Sequence, residues 1–161
     1  MIVRPNLAFL VSHPAHFIAL GFGAGLAPVA PGTAGTLLAF PLFALLSAFL
    51  EPEALLALVV VLFILGVWAC ERTGTALGIP DHSGMVWDEV VAFLLILIFT
   101  PAELAWQLFA FVAFRVFDVL KPPPIREVDR FWKGGFGVMF DDVIAAFYTV
   151  LLVAIAKRLA G

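Results

Sequence analysis

ALLALVVVLFILGVWAC, residues 54–70, runs through 17 positions without a charged side chain or a proline. As a helix rising about 1.5 Å per residue it covers roughly 25 Å. That is close to the ~30 Å of hydrocarbon in a bilayer, so this is the clearest transmembrane candidate in the chain. Glu51-Pro52-Glu53 leads into it. Four further apolar runs are less clean. Residues 36–50 contain Pro41, residues 87–100 are closed by Pro101, residues 104–120 carry Arg115 and Asp118, and residues 143–156 end at Lys157-Arg158. Residues 17–26 hold Gly21, Gly23 and Gly25 and read as a buried or partly inserted helix, with Pro28 and Pro31-Gly32 breaking the structure after it. Several runs fall short of the ~20 residues that cross a bilayer. Charged residues at their ends must therefore lie at the interface and supply helical length. The expected class is all-α: a compact polytopic membrane helix bundle with short or interrupted membrane helices, forming one domain over residues 1–161.

Composition supports this class. The chain is 63% hydrophobic and 13% charged, with a mean hydropathy of +1.11. Soluble domains carry about 25% charged residues, and a soluble body built from these helices would lack polar side chains to coat it. The net charge of −3 offers no basic stripe to neutralise phosphates, so a nucleic-acid partner is not expected. Cys70 is the single cysteine. It excludes an internal disulfide and a four-thiolate metal site and reads as a small buried hydrophobe. The amino-terminal segment is interrupted by Pro5, His13, Pro14 and His16 and has no clear cleavage boundary, so the whole chain is expected to be mature.

A parity count organises the polar residues. If the five longer runs each cross once, the turns at 51–53 and 101–103 share one side, and segments 27–36, 71–86 and 121–142 share the other. The second side then receives Arg72, Lys121, Arg126, Arg130 and Lys133, and the internal turns of the first carry only Glu51, Glu53 and Glu103. The positive-inside rule turns the basic side to the cytoplasm; Lys157-Arg158, on the opposite side, argues the other way. On the basic side stand two adjacent acidic pairs, Asp88-Glu89 and Asp141-Asp142, each where an apolar run begins.

Neighbouring carboxylates on a helix point about 100° apart, so one of a pair is expected to face the bundle and the other a loop or the aqueous rim. Two pairs from different helices supply hard oxygen ligands suited to Mg²⁺. Helix capping is the plainer reading, and it accounts for one acid per helix better than for two. Arg115, Asp118 and Lys121 recur at a spacing that shares part of a helical face. They form either a structural ion-pair ladder, or a phosphate-binding group in Arg115 with Asp118 joining a metal site. Arg126 and Arg130 suit anion binding, or are neutralised by Glu127 and Asp129. The Pro31-Gly32-Thr33 turn and Gly134-Gly135 allow backbone N–H groups near an anion, although no Walker A ending is present. His82, the sole histidine outside the amino-terminal region, follows Asp81, and no paired arrangement supports a zinc site.

These islands together resemble the bacterial phosphatidylglycerophosphatase A family over nearly the full length. The matching pieces are Gly21-Phe22-Gly23 with Gly25, Ala30-Pro31-Gly32-Thr33 with Gly35-Thr36, Asp81-His82, and Val86-Trp87-Asp88-Glu89. They continue through Phe114-Arg115, Asp118, Lys121-Pro122, Pro124-Ile125-Arg126, Asp129-Arg130, Gly134-Gly135, Gly137-Val138-Met139 and Asp141-Asp142. Ala92 and Ala146 stand where the family usually has glycine, a change that keeps small size. The resemblance implies an Mg²⁺-dependent lipid phosphatase of the bacterial inner membrane. It would convert phosphatidylglycerophosphate to phosphatidylglycerol and phosphate, the last step of phosphatidylglycerol synthesis. Asp88, Glu89, Asp141 and Asp142 are then the expected metal ligands, with Asp118 a fifth catalytic candidate. Thr33, Arg115, Lys121, Arg126 and Arg130 are the expected substrate-binding residues. The expected partners are phosphatidylglycerophosphate and membrane lipids; the sequence names no protein partner. The competing readings are another lipid phosphatase, a lipid phosphotransferase, or a non-enzymatic transporter or scaffold.

Overall fold

A computed structural model describes residues 4–161, and among these there are helices and turns but no strand. Two short helices, α1 (Leu7–Ser12) and α2 (Pro14–Ala19), lead into a 3-10 segment at Gly21–Leu26. The bundle then comprises α3 (Pro31–Ser47), α4 (Pro52–Leu77), α5 (Trp87–Phe99), α6 (Leu104–Leu120), the short α7 (Ile125–Phe131), and α8 (Gly135–Ala160).

α4 and α8, at 26 residues each, are the two described helices long and apolar enough to cross a membrane. Each extends about 39 Å. α3 is a shorter apolar helix of 17 residues, and Pro41 does not end it. α5 has 13 residues, of which ten are buried, and spans only about 20 Å. Its shortness is tolerable because α3, α4, α6 and α8 all pack on it, so protein rather than lipid surrounds most of its length. Phe93 is fully buried at its centre and meets Phe40 of α3, with Phe111 and Phe114 of α6 around it.

The two long helices reach further than their uninterrupted apolar runs. α4 begins at Pro52 and continues past Glu71 and Arg72 to Leu77, where Gly78 in the left-handed region (φ 76°) stops it. α8 starts at Gly135, eight residues before the apolar run at 143. The expected loops shrink accordingly to residues 78–86 and 121–134, and the second contains α7. One correction follows for the site. Asp141 and Asp142 do not open a helix; they lie inside α8, in its second turn. The first-turn N–H groups that a cap would satisfy are out of their reach, so capping does not account for this pair. Asp88 and Glu89 do stand in the first turn of α5.

One end of the bundle gathers the start of α3, the end of α4, the starts of α5 and α8, and the end of α6. Close contacts hold these termini together. The Val86 N–H donates to the Ala19 carbonyl at 2.8 Å, and the Gly135 N–H donates to Glu71 Oε2 at 2.6 Å. The Gly25 and Gly84 backbones touch so closely that a Cβ on Gly25 would collide with the Gly84 carbonyl.

Candidate active site

The first turn of α5 is fixed by what grips the residue before it. Val86 is fully buried. A Cβ on either Gly21 or Gly35 would come within 2.7 Å of its side chain. The indole N–H of Trp87 donates to the Leu62 carbonyl at 3.2 Å. With these two residues held by the 3-10 segment, α3 and α4, Asp88 and Glu89 point into the bundle and keep only 8% and 9% of their surface exposed. Asp142, at 2%, enters the same space from α8.

Asp88, Glu89 and Asp142 each bring one carboxylate oxygen into a group whose members lie within 4.8 Å of one another. Each also has one buried oxygen with no hydrogen-bond partner: Asp88 Oδ1, Glu89 Oε2 and Asp142 Oδ2. Buried carboxylate oxygens normally accept hydrogen bonds, and leaving them without a partner costs free energy that a cation can offset. Three converging acids raise that cost through mutual repulsion. The residues therefore fit a hard divalent cation held by oxygen, the donor set Mg²⁺ takes.

The remaining acids are already engaged. Asp141 Oδ2 stands 2.8 Å from Lys121 Nζ, and its Oδ1 accepts the Asp142 N–H at 3.0 Å. Of the four expected ligands, three are gathered and Asp141 stands beside them. The expectation that one member of each pair turns away thus holds for Asp141-Asp142, whereas Asp88 and Glu89 both reach inward. Asp118 pairs with Arg115 one turn away on α6, and Arg115 Nη1 lies 3.7 Å from Glu89 Oε1. Arg115 therefore ties α6 to the triad.

Lys121 caps α6 in the left-handed region (φ 45°), which swings its ammonium away from the Arg115–Asp118 pair to meet Asp129 at 2.9 Å and Asp141 at 2.8 Å. Partial burial would lower its pKa, but the charges and hydrogen bonds of Asp141 and Asp129 outweigh this and raise it. The proposed 115–118–121 ladder is thus two separate ion-pair groups. Gly32, in the first turn of α3, lies against the same place. A Cβ there would collide with Glu89 Oε1 and come within 3.1 Å of the Arg115 guanidinium. Thr33 follows it, half-buried.

Arg126 and Arg130 are exposed on α7 and take no part in the buried cluster. Arg130 lies 5.6 Å over the Phe131 ring. Neither has a carboxylate within 4 Å among the described residues. Asp129 is committed to Lys121 instead.

Three contributions escaped the sequence reading: the close approach of Gly32, the use of Asp129 as a lysine partner, and Glu71 as the anchor of the α8 N-terminus. A charged residue continuing an apolar run was the available signal for Glu71. Asp81, in the loop before α5, is also coupled to this end. Its carboxyl is pushed up first by desolvation, with Lys121 opposing and Asp129 reinforcing the rise.

Comparison with known proteins places these residues in a lineage. A family model described as phosphatidylglycerophosphatase A matches residues 17–157. A Haemophilus influenzae protein of that name is 43% identical over 143 residues, covering 88% of this chain and 87% of its own length. An Escherichia coli protein of the same name is 44% identical over 137 residues, covering 84% of this chain and 78% of its own. A Bacteroides thetaiotaomicron protein, named provisionally as a phosphatidylinositol-3-phosphatase, is 41% identical over 151 residues, with 89% and 94% covered. No solved structure matches the chain.

Proposed function

Because the chain belongs to the phosphatidylglycerophosphatase A family, we propose that it hydrolyses phosphatidylglycerophosphate to phosphatidylglycerol and inorganic phosphate. The observation that carries the reading is the convergence of three buried, unpartnered carboxylate oxygens beside Arg115. Asp88, Glu89 and Asp142 would hold Mg²⁺, with Asp118 and Asp141 supporting the set through their cations. A bound Mg²⁺ supplies electrostatic stabilisation of the charge that builds on the phosphoryl oxygens.

The chain's own residues do the rest. Arg115 orients the terminal phosphate through its planar donors, and the Asp118 and Glu89 carboxylates hold that guanidinium in place. Gly32 and Thr33 stand at the start of α3 beside it; the Thr33 N–H donates to the Ala30 carbonyl at 3.0 Å, which leaves the Gly32 N–H and the Thr33 hydroxyl for an anion. Lys121 positions Asp141 and the α8 turn that carries Asp142. Arg126 and Arg130, free on the exposed face of α7, take the bridging phosphodiester of the headgroup. A water attacks the terminal phosphorus while the bond to the glycerol oxygen breaks. Its proton passes to a carboxylate of the cluster, and the leaving alkoxide takes up a proton.

The membrane setting is part of the reading. α4 and α8 cross the bilayer, the shorter helices complete a multi-pass bundle in the inner membrane, and the acidic end faces the cytoplasm. The substrate's acyl chains stay in lipid while its headgroup enters the charged end. The name of the Bacteroides relative favours a second reading, a phosphomonoester on an inositol ring.

Phosphate release by detergent-purified protein separates these readings. Phosphatidylglycerophosphate should be hydrolysed with a higher kcat/KM than phosphatidic acid or phosphatidylinositol-3-phosphate. Chelation should abolish release, and added Mg²⁺ should restore it. Equal efficiency on phosphatidic acid would remove the headgroup selectivity assigned to α7. Preference for the inositol lipid would transfer the site to the second reading, and release that persists in chelator would remove the metal.

A further inference from the structure

Away from the acidic triad, a groove of about 990 Å³ runs along α4 beside α2 and the start of α8. None of Asp88, Glu89 and Asp142 lines it. A smaller cavity of about 410 Å³ adjoins it and shares Glu71, Thr75 and Lys133.

The groove changes character at one level on two separate elements. On α4 the lining residues Phe63, Ile64, Val67 and Trp68 are apolar, and Glu71, Arg72 and Thr75 follow within the next turns. At the start of α8, Phe136 lines the apolar part and Lys133, just before the helix, lines the polar part. From Ile64 to Arg72 the rise is about 12 Å, enough to separate a phosphate from the upper part of an acyl chain. Ile64, Trp68 and Phe136 keep 64%, 45% and 44% of their surface exposed, so the apolar floor is open from the side.

The rim carries two cations, Arg72 and Lys133, against one carboxylate, Glu71. Arg72 Nε donates to His13 Nε2 at 3.1 Å, and Lys133 Nζ donates to the Asp129 backbone carbonyl. Neither has a carboxylate within 4 Å among the described residues. Glu71, the acid on the rim, spends Oε2 on the Gly135 N–H. His16 contributes no compensating negative charge; its Nδ1 lies 2.9 Å from Thr73 Oγ1.

We propose that this groove binds one anionic phospholipid, with its phosphate between Arg72 and Lys133 and an acyl chain along Ile64, Val67, Trp68 and Phe136. Opposite charge at the rim and an apolar floor below it select an anionic lipid over a zwitterionic one. The proposal rests on α4 and α8 being membrane-embedded. It stands whether or not the chain hydrolyses phosphatidylglycerophosphate.

The test uses the purified full chain in neutral detergent, titrated with phosphatidylglycerol brominated on its acyl chains. The part of the tryptophan quenching that Trp68→Phe removes reports the groove. Arg72→Gln with Lys133→Gln should shift its half-saturation by at least about five-fold to higher lipid. Phosphate release from a short-chain, water-soluble phosphatidylglycerophosphate should stay unchanged in that variant. Brominated phosphatidylcholine should need a similarly higher concentration on the unsubstituted chain. Equal half-saturation for the two lipids, or no shift in the double variant, would overturn the proposal. Trp68 quenched by neither lipid while the chain sediments as a dimer would assign the groove to a second copy instead. No phosphate release from the unsubstituted chain, with the lipid titration and its shift as expected, would count against the hydrolytic reading alone.

Discussion

Asp141 and Asp142 are one position apart, and their carboxylates serve different partners. Asp142 has an unpartnered oxygen in the triad, whereas Asp141 is bound to Lys121 and to its neighbour's N–H. Substituting each should give a different loss. Asp142→Asn should lower kcat/KM by at least about 100-fold, the scale of losing one group that stabilises transition-state charge. It should leave the thermal midpoint in detergent unchanged or raised, because one of three crowded anions is gone. Asp141→Asn should instead lower the midpoint, and its effect should be strongly non-additive with Lys121→Gln. A double-mutant cycle should show coupling of about 0.5–3 kcal/mol; independent effects would mean that the observed ion pair does not govern this corner. Gly32→Ala tests the same site from α3. Alanine is a better helix former than glycine, so propensity alone predicts a protein no less stable. The added Cβ meets Glu89 Oε1 and the Arg115 guanidinium, so phosphate release should fall by an order of magnitude or more while the helical circular-dichroism signal is kept. Activity equal to the parent chain would show that Glu89 and Arg115 can move aside without consequence.

At the level of elements, the apolar runs revealed which helices exist, and the polar residues obscured where they end. Glu71, Arg72 and Gly74 read as the opening of a loop, yet α4 continues through all three because each has a place in the packing. Glu71 anchors Gly135, and a Cβ on Gly74 would meet the Pro80 carbonyl at 2.9 Å. Gly135 and Gly137 lie in the polar stretch expected to be a loop and are in the first turn of α8. A single sequence cannot distinguish a glycine that ends a helix from one that lets another backbone approach. The acidic pairs were legible as site candidates, but the division between Asp141 and Asp142 was not. It depends on the left-handed Lys121 reaching across from α6. Gly135→Ala isolates the packing argument. Its Cβ would collide with the Val67 carbonyl and lie 2.7 Å from the Glu71 nitrogen, and neither backbone group can rotate away. Overpacking of this kind costs typically 1–3 kcal/mol, so the thermal midpoint in detergent should fall by several degrees. Phosphate release should fall with it, because α8 carries Asp142. An unchanged midpoint would mean that α4 and α8 separate here at no cost.

For the whole molecule, the question is which way the acidic end faces. Contacts bring the end of α4, the starts of α5 and α8 and the end of α6 to one pole, as the parity of the apolar runs required. α5 is too short to span a bilayer alone, and Asp142 lies about 10 Å along α8 from its start. The triad is therefore recessed below the pole. Exposed Arg126 and Arg130 on α7, with exposed Phe131 and Trp132 beside them, suit a helix lying at the interface, with cations toward anionic headgroups and rings toward the acyl boundary. The proposed orientation, with this pole in the cytoplasm, follows the positive-inside rule, and Lys157-Arg158 at the far end pulls the other way. Single added cysteines decide between them, because Cys70 is fully buried and its thiol gives little background. A cysteine at Arg126 should react with a membrane-impermeant maleimide in inside-out vesicles and be protected in spheroplasts. One at Glu103, between α5 and α6, should show the reverse. If the cysteine at Arg126 is labelled in spheroplasts, the acidic pole faces outward, and the water and headgroup it meets come from the other side of the membrane.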